Sequence, residues 1–598
     1  MVKLAHKDLF QSIQYYPATE IEKSVAKYAI EKINPQCSVE ELANFSQNAN
    51  EKIINLLKDK NFPLCFEKLN FLFESILDEN YKNKNGIVFT PKYISDFICK
   101  NAFSNVCNIN SIKIIDPSCG CGIFLISAIE IIKQQTNKSI KEILKNQIFG
   151  LDISEANTER VKILLKIIGL MNNEIINDND INVYCADSLK ENWNVVFNTQ
   201  FDYIVGNPPY VNPHSLNKEQ SEFLKQNFQT TNKGVFNIFY AFIEQSMNFI
   251  KENGKVSFIV PNNFLTISAA KPLRDFIEPY LLELIDLQDN MVFKPTRTYN
   301  AIIALGRKDT GKIKYSNISR TNNIDKSLQN IEPKELDKKN VFLSRWRFLD
   351  SKAESNISKI ENQFFNIAHS ITAGIATLKD EVYRVIFNGT DFIKNVNGVE
   401  FIIDKDLIKP IYKIPELKNS KECGYFIFPY KIINKNAKII DEKTMQTQYL
   451  QTYNYLLACK NELDLRDKGK QNAVAWYAYG RTQCLNRYGR KLLFGTFALK
   501  PNFILIDKKD SLFCNGYAIF ENDVLELEIL QKILNSCIME YYIKHTSYQI
   551  EGGYFCYQKK YIEKFSIPFL NTREKNFLLS ANVANIDNFL IKKYDLEM

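Results

Sequence analysis

Asn207-Pro208-Pro209-Tyr210 joins an amide side chain, two rings that stiffen the backbone and an aromatic face. That set suits a particular chemical problem. An amine attached to a planar ring or amide is a poor nucleophile because its lone pair is delocalised. It attacks only when acceptors hold its N–H groups out of the conjugated geometry. Asn207 offers a side-chain carbonyl and Pro208 a main-chain carbonyl on a backbone fixed by two pyrrolidines, while Tyr210 offers a surface for stacking a planar group. The residues are candidates for catalysis as a set.

A second group lies upstream. Asp116-Pro-Ser-Cys-Gly120-Cys-Gly122 reads as the end of a strand, a tight glycine turn and the start of a helix. Gly120 and Gly122 permit positive φ and close approach of a ligand to the backbone, and amides opening a helix favour a negative group. The turn is not the GxGxxG of dinucleotide binders. Asp116, Asp152 and Asp187 close three successive predicted strands, so a doubly wound sheet would bring them to one crevice. Carboxylates there repel phosphate and welcome hydroxyls, an amino group and an exocyclic amine, all hydrogen-bond donors. S-adenosylmethionine has that set.

The elements that must position these residues are legible as short apolar runs alternating with helical stretches over about residues 111–308. The predicted strands are Ile112–Ile115, Ile148–Leu151, Val183–Cys185, Tyr203–Val205, Lys255–Val260, Leu284–Leu287 and Ala301–Leu305, with an additional helix over Lys138–Asn146. Helical periodicity over Glu20–Ile33 and Val39–Leu57 predicts a helical preface. Residues 313–345 have linker composition. From about residue 346, β-rich runs at Tyr425-Phe-Ile-Phe and Phe503-Ile-Leu-Ile mix with a helical piece at Leu525–Met539, a separate α+β domain.

Composition narrows the class further. The chain has 598 residues, a net charge of +8 and 45% hydrophobic residues, enough for several cored domains and too weakly basic for a polybasic binder. It has no apolar run of about 18 residues and no apolar core for an export signal, so a soluble protein without a membrane partner is expected. The 13 cysteines are odd in number and form no CxxC, and only four histidines are present, so reduced thiols and no metal are expected.

The order Gly86-Ile-Val-Phe-Thr-Pro-Lys92, Asp116-Pro-Ser-Cys-Gly-Cys-Gly122, Asn207-Pro-Pro-Tyr210 and a C-terminal domain resembles the gamma-class, TaqI-like adenine-N6 DNA methyltransferases. The resemblance implies a Rossmann-like, seven-stranded class I methyltransferase domain over residues 86–312, preceded by a helical segment over 1–85. After the linker, residues 346–598 would form an α+β target-recognition domain. It implies that Thr90 and Pro91 close over the methionine end of S-adenosylmethionine, and that Asp116, Ser118, Gly120 and Gly122 hold its amino-carboxyl group. Asp152 and Ile153 would meet the ribose, Asp187 the adenine amine, and Phe242 the adenine ring. Phe293, in Val-Phe-Lys-Pro, matches a second aromatic that sandwiches a flipped-out base with Tyr210. Double-stranded DNA would be the substrate, the chain a monomer in the bacterial cytoplasm near the nucleoid, and any cognate restriction endonuclease a separate chain.

A domain that accepts an adenine needs a reader to choose which one. Between Arg466 and Lys500 eight basic residues face one acid, Asp467, with Trp476, Tyr477, Tyr479 and Tyr488 interleaved. Asn472-Ala-Val-Ala-Trp-Tyr-Ala-Tyr-Gly-Arg481 is similar to a segment of TaqI-like specificity domains. Arg481, Arg487, Arg490, Trp476 and Tyr479 are therefore the expected DNA contacts. Ile371–Thr377 and Glu551–Tyr554 are similar to further parts of such domains. Protein glutamine methyltransferases, which also use Asn-Pro-Pro-Tyr, fit the site chemistry and leave a basic, aromatic C-terminal domain unexplained, and RNA methyltransferases fit the site chemistry against the domain order.

Overall fold

A computed structural model describes residues 9, 12–13, 15–33, 49–65, 68–69, 72–73, 90–104, 106–293, 298–342, 346–417, 423–434, 436–521, 526–550 and 552–598. They fall into two compact units, residues 1–348 and 349–598. Among the described residues no helix is long and apolar enough to cross a membrane.

The first unit opens with helices α1 (Ala18–Ile33), α2 (Glu51–Asp59) and α3 (Lys92–Phe103). Then follow β1 (Ile114–Asp116), α4 (Ile123–Gln135), α5 (Ile140–Asn146), β2 (Ile148–Asp152), α6 (Glu155–Met171), β3 (Asn182–Cys185) and β4 (Phe201–Gly206). After these come α7 (Lys218–Asn227), α8 (Phe239–Phe249), β5 (Ile250–Pro261), β6 (Leu281–Asp286), β7 (Asn300–Leu305), β8 (Lys312–Asn317) and β9 (Lys334–Asp337). The strands join in the order β3-β2-β1-β4-β5-β7-β6-β8-β9. β1 to β5 are mutually parallel, and β7 runs antiparallel to both β5 and β6.

All seven expected strands are present, and α5 falls on the expected extra helix. The main difference concerns residues 313–345. Two stretches of this expected linker belong to the sheet, with β8 parallel to β6 and β9 antiparallel to β8. β8 is a half-exposed strand far from the centre of the sheet, and of its two buried residues, Ile313 and Ser316, only one is apolar, which dilutes the apolar signal. The unit boundary accordingly lies at residue 348.

Side chains alternate across the sheet. Ile114 enters one core with α3 and α4, and Ile115 enters the other with α8. The helical preface joins the first core through Val25, Tyr28, Ile54 and Leu57. Its expected second helix is seen as α2; residues 39–48 of that expectation lie outside the described residues.

The second unit contains a six-stranded sheet, a four-stranded sheet, a three-stranded sheet and separate two-stranded pairs. Tyr425-Phe-Ile falls in strand Gly424–Ile427 and Ile-Leu-Ile in strand Ile504–Ile506. The expected helix near residues 525–539 is two helices, Leu527–Leu534 and Cys537–Thr546.

Candidate active site and the basic segment

The strand order reverses between β1 and β4, which pair through Ile114↔Tyr203 and Ile115↔Ile204. In an open parallel sheet that reversal leaves a crevice outside the carboxyl ends of the strands. The glycine loop after β1 and Asn207-Pro-Pro-Tyr210 after β4 therefore become neighbours, with Ser118 Oγ 3.5 Å from the Asn207 carbonyl oxygen. A cavity of about 400 Å³ occupies the crevice. It is lined by Thr90, Asp116, Ser118, Gly120, Asp152, Ile153, Asp187, Asn207, Pro208, Pro209 and Phe242, all singled out in the sequence.

The acids are held by backbone donors. Asp116 Oδ1 accepts from the Ser118 amide at 2.9 Å, and burial pushes its carboxyl up to about 8. Any Cβ at Gly206, at the end of β4, would sit 2.7 Å from that oxygen, so glycine is needed there for Asp116 to stand where it does. Gly120 and Gly122 take positive φ, 53° and 82°, and Gly122 opens α4 in the left-handed region that side chains disfavour. Asp152 accepts from the amides of Gly120 and Ser154, each at 2.9 Å, and from Asn157 Nδ2 at 3.0 Å. Burial still raises its carboxyl above the usual range. Asp187 caps the turn at the Leu189 amide (3.1 Å), and Lys190 Nζ lies 3.6 Å from it.

Behind Asp152 runs a line of polar contacts invisible to local sequence reading. Asn157 accepts from Arg160 Nη1 at 2.8 Å, and Arg160 Nε donates to Glu22 of α1. The Arg160 and Glu22 side chains are only 4% and 6% exposed. The preface thus reaches the site through an ion pair buried against α6. Burial raises the Glu22 carboxyl despite the guanidinium against it.

Asn207 Nδ2 donates to Thr90 Oγ1 at 3.1 Å, which turns Oδ1 into the acceptor of the side chain. Tyr210 does not line the cavity wall. Its hydroxyl donates to the Ile259 carbonyl and accepts from Asn300 Nδ2, both at 3.2 Å. Pro91, Gly122 and Phe293 also stand outside the lining. Phe293 is buried with its ring centre 6.3 Å from that of Tyr210 and inclined by 60°. Two rings so inclined offer no parallel slot for a base, because Val292 and Phe293 fill the core just beyond β6. Residues 86–89, part of the first quoted motif, lie outside the described residues.

Residues not singled out from sequence complete the wall: Cys121, Ser188, Lys190 and, from the segment around α7, Leu216, Phe223 and Leu224. Lys190 Nζ lies 5.5 Å from the Phe223 ring centre. The apolar spots in an otherwise polar α7 were the available signal.

Part of the basic segment of the second unit is scaffold. Arg466 is buried and donates to the carbonyls of Leu463, Thr377, Ala478 and Trp476 and to the Tyr383 hydroxyl. Lys491 is fully buried, and desolvation brings its ammonium down to about 8. Two expected DNA contacts are corrected outright. Tyr479 lies in the core with its hydroxyl on the Ile427 carbonyl at 2.7 Å. Arg490 is enclosed by Asp507, Glu521 and Glu528, each bound through a different nitrogen. Trp476 is half-buried and donates to Glu442 at 3.0 Å. Arg481, 3.2 Å from Asp467, and Arg487 are exposed.

Residues 146–293 match the family described as Eco57I restriction-modification methylase. The chain is 24% identical over 609 residues to the type II restriction enzyme and methyltransferase RM.Eco57I of Escherichia coli, covering 85% of this chain and 59% of that protein. It therefore spans less than two thirds of that relative's length. It is also 24% identical over 557 residues to the type II methyltransferase M.BstVI of Geobacillus stearothermophilus, covering 85% and 94%. Among solved structures, the type IIL restriction-modification enzyme MmeI in complex with DNA superposes with a TM-score of 0.64 at 13% identity, covering 100% of this chain and 88% of that one. That likeness concerns the fold. Residues 146–293 are thus similar to restriction-modification methylase domains of the Eco57I type, in keeping with the resemblance read from the motifs.

Proposed function

We propose that this chain transfers a methyl group from S-adenosylmethionine to N6 of an adenine rotated out of double-stranded DNA, as the modification activity of a restriction-modification system. The observation that carries this reading is the placement of the Asn207 amide, oriented by Thr90, at the edge of a cavity that also holds three strand-end carboxylates. The relatives' descriptions as type II methyltransferases support it.

The wall of the cavity fits the cofactor's chemistry. Donors on the ligand meet acceptors on the protein: Asp116 for the amino group, Asp152 for ribose hydroxyls and Asp187 for the adenine amine, with Ile153 and Phe242 as apolar surfaces. The positive-φ glycine loop and the amides opening α4 suit the carboxylate. Bound there, S-adenosylmethionine supplies an electrophilic methyl group on a sulfonium. Asn207 Oδ1 and the Pro208 carbonyl accept the two N–H groups of the target amine and turn its lone pair out of conjugation. Pro208 and Pro209 keep those acceptors from relaxing. No protein nucleophile takes part, and the chain has no Pro-Cys dipeptide of the kind used for attack on ring carbon. Extrusion of the base costs a few kcal/mol of stacking, which hydrogen bonds to its pairing edge help to offset.

The test is incubation of the purified chain with radiolabelled S-adenosylmethionine and unmethylated bacterial genomic DNA, followed by mass spectrometry of the nucleosides. N6-methyladenine is the expected product. Asn207→Ala should keep cofactor affinity and lose about 10²–10³-fold in rate, the usual cost of a transition-state hydrogen-bonding group. Label in protein or RNA but not in DNA, or full turnover by Asn207→Ala, would overturn the reading.

A further inference from the structure

Tyr479 lies in the core and Arg490 is held at the surface by three acids, which leaves other exposed cations of the second unit to meet a polyanion. One element stands apart. Strands Tyr430–Ile433 and Asn436–Ile439 form a two-stranded antiparallel ribbon that belongs to none of the larger sheets. Its root is clamped by the aromatic segment read from sequence as a DNA contact. Tyr477 donates its hydroxyl to the Ile440 carbonyl at 2.6 Å, and the Tyr430 hydroxyl accepts from the Tyr479 amide at 2.7 Å. Tyr430 and Ile440 are buried, while Lys431, Ile432, Ile433, Asn434, Asn436 and Lys438 are exposed.

The register places Lys431 directly opposite Lys438, and Ile433 opposite Asn436, on one face of the ribbon. Like charges directly opposite across a pair of strands oppose folding. Among the described residues neither lysine makes an ion pair or a hydrogen bond. The residues from Tyr430 to Ile440 include no acid, and Asp441 is turned to the Thr444 amide and hydroxyl at the start of the next helix. The pair is met only by the Tyr449 ring, 6.0 Å from Lys431 Nζ, and by the field of Asp441 on Lys431, so the two cations are only partly compensated. A polyanion laid along that face would relieve their repulsion. The dimensions favour a duplex, since a two-stranded ribbon fits the major groove, with lysines for phosphates and Asn for base edges.

We infer that the ribbon Tyr430–Ile439 is a DNA-reading element of the second unit, with Lys431 and Lys438 on the phosphates and Asn436 and Ile433 toward the base edges. This rests on the proposal that duplex DNA is the substrate. It also gives Trp476–Tyr479 a different task, that of holding the ribbon's root.

The test measures binding to a 30-base-pair duplex of random sequence by fluorescence anisotropy across a salt series, with the full chain, Lys431→Glu, Lys438→Glu and the double change Lys431→Arg/Lys438→Arg. Each Glu variant should reduce the slope of log affinity against log salt by about 1, as expected for one lost phosphate contact. The Arg pair should retain the slope. Lys431→Glu sets an acid across from Lys438, so its Tm should hold or rise while DNA binding weakens, a combination that a merely structural role would not produce. Unchanged slope and affinity in both Glu variants, with normal binding by the parent chain, would overturn the ribbon assignment and leave the DNA reading intact. A parent chain that binds no duplex at any salt would overturn both.

Discussion

Glu22 lies on a helix of the preface, yet Glu22, Arg160, Asn157 and Asp152 form a continuous line into the cavity. Changing Glu22 to Ala leaves the Arg160 guanidinium buried without its carboxylate. Removing one partner of a buried pair costs about 3–5 kcal/mol, so the Tm of the first unit should fall by several degrees or more. A second effect should reach the site. Asn157 is oriented by Arg160, and its hydrogen bond to the Asp152 carboxylate belongs to the class worth about 1.5–3 kcal/mol. If half of that orientation is lost, cofactor affinity falls by about 1 kcal/mol, roughly five- to tenfold in Kd. Calorimetric titration with S-adenosylmethionine and thermal unfolding of the same samples measure the two effects. Glu22→Gln retains an acceptor and should show a smaller loss in both. Lys27→Ala breaks an exposed pair with Glu51 on the same preface and should cost under about 1 kcal/mol without touching Kd. A Glu22→Ala chain with lowered Tm but a Kd within twofold of the parent would show that the preface stabilises the fold and does not tune Asp152.

Two further outcomes follow from the site and the basic segment. Burial holds the Asp116 carboxyl near 8, so the free protein keeps it protonated at neutral pH and a cationic amino group must displace that proton. Cofactor affinity should therefore strengthen with pH, by up to about tenfold per unit, and level off above 8. For the same reason, the stability Asp116 lends without cofactor is present below the ordinary carboxylate range and lost as pH rises through 8; an affinity flat from pH 6.5 to 8.5 would refute this. Arg490→Ala should cost about 1 kcal/mol of stability with DNA affinity unchanged, whereas Arg487→Ala should weaken DNA binding and leave the Tm alone, as denaturation and anisotropy would show. Equal losses of DNA affinity in both would return Arg490 to the contact surface.

Much of the first unit was legible because its signals are local. A parallel strand buried on both faces is a short apolar run, and an acid or Asn-Pro-Pro-Tyr just after it must lie at the strand's carboxyl end. Asp116, Asp152, Asp187 and Asn207 all reached one cavity by that rule. β8 and β9 escaped because a half-exposed strand loses every second apolar residue, and polar composition then imitates a linker. The basic segment misled for a different reason. Within residues 466–500 only Asp467 balances the cations, but the acids that enclose Arg490 come from positions 507, 521 and 528. Charge counted along a window misses charge brought in by the fold. The Glu22–Arg160 pair spans 138 residues and has no local signature. Phe293 shows the ambiguity of a buried aromatic after a strand, which serves a core as readily as a stacked base.

The crevice straddles the reversal of strand order, with one wall carried by β1 to β3 and the other by β4 and α8. A ligand touching both walls acts as a clasp between successive parts of the chain. Since only the folded sheet has both walls, ligand at a hundredfold excess over its Kd adds about 2.7 kcal/mol by mass action alone. That gain falls on the sheet as a whole. On the proposed function, supply of S-adenosylmethionine would raise the stability of the first unit as well as feed its reaction.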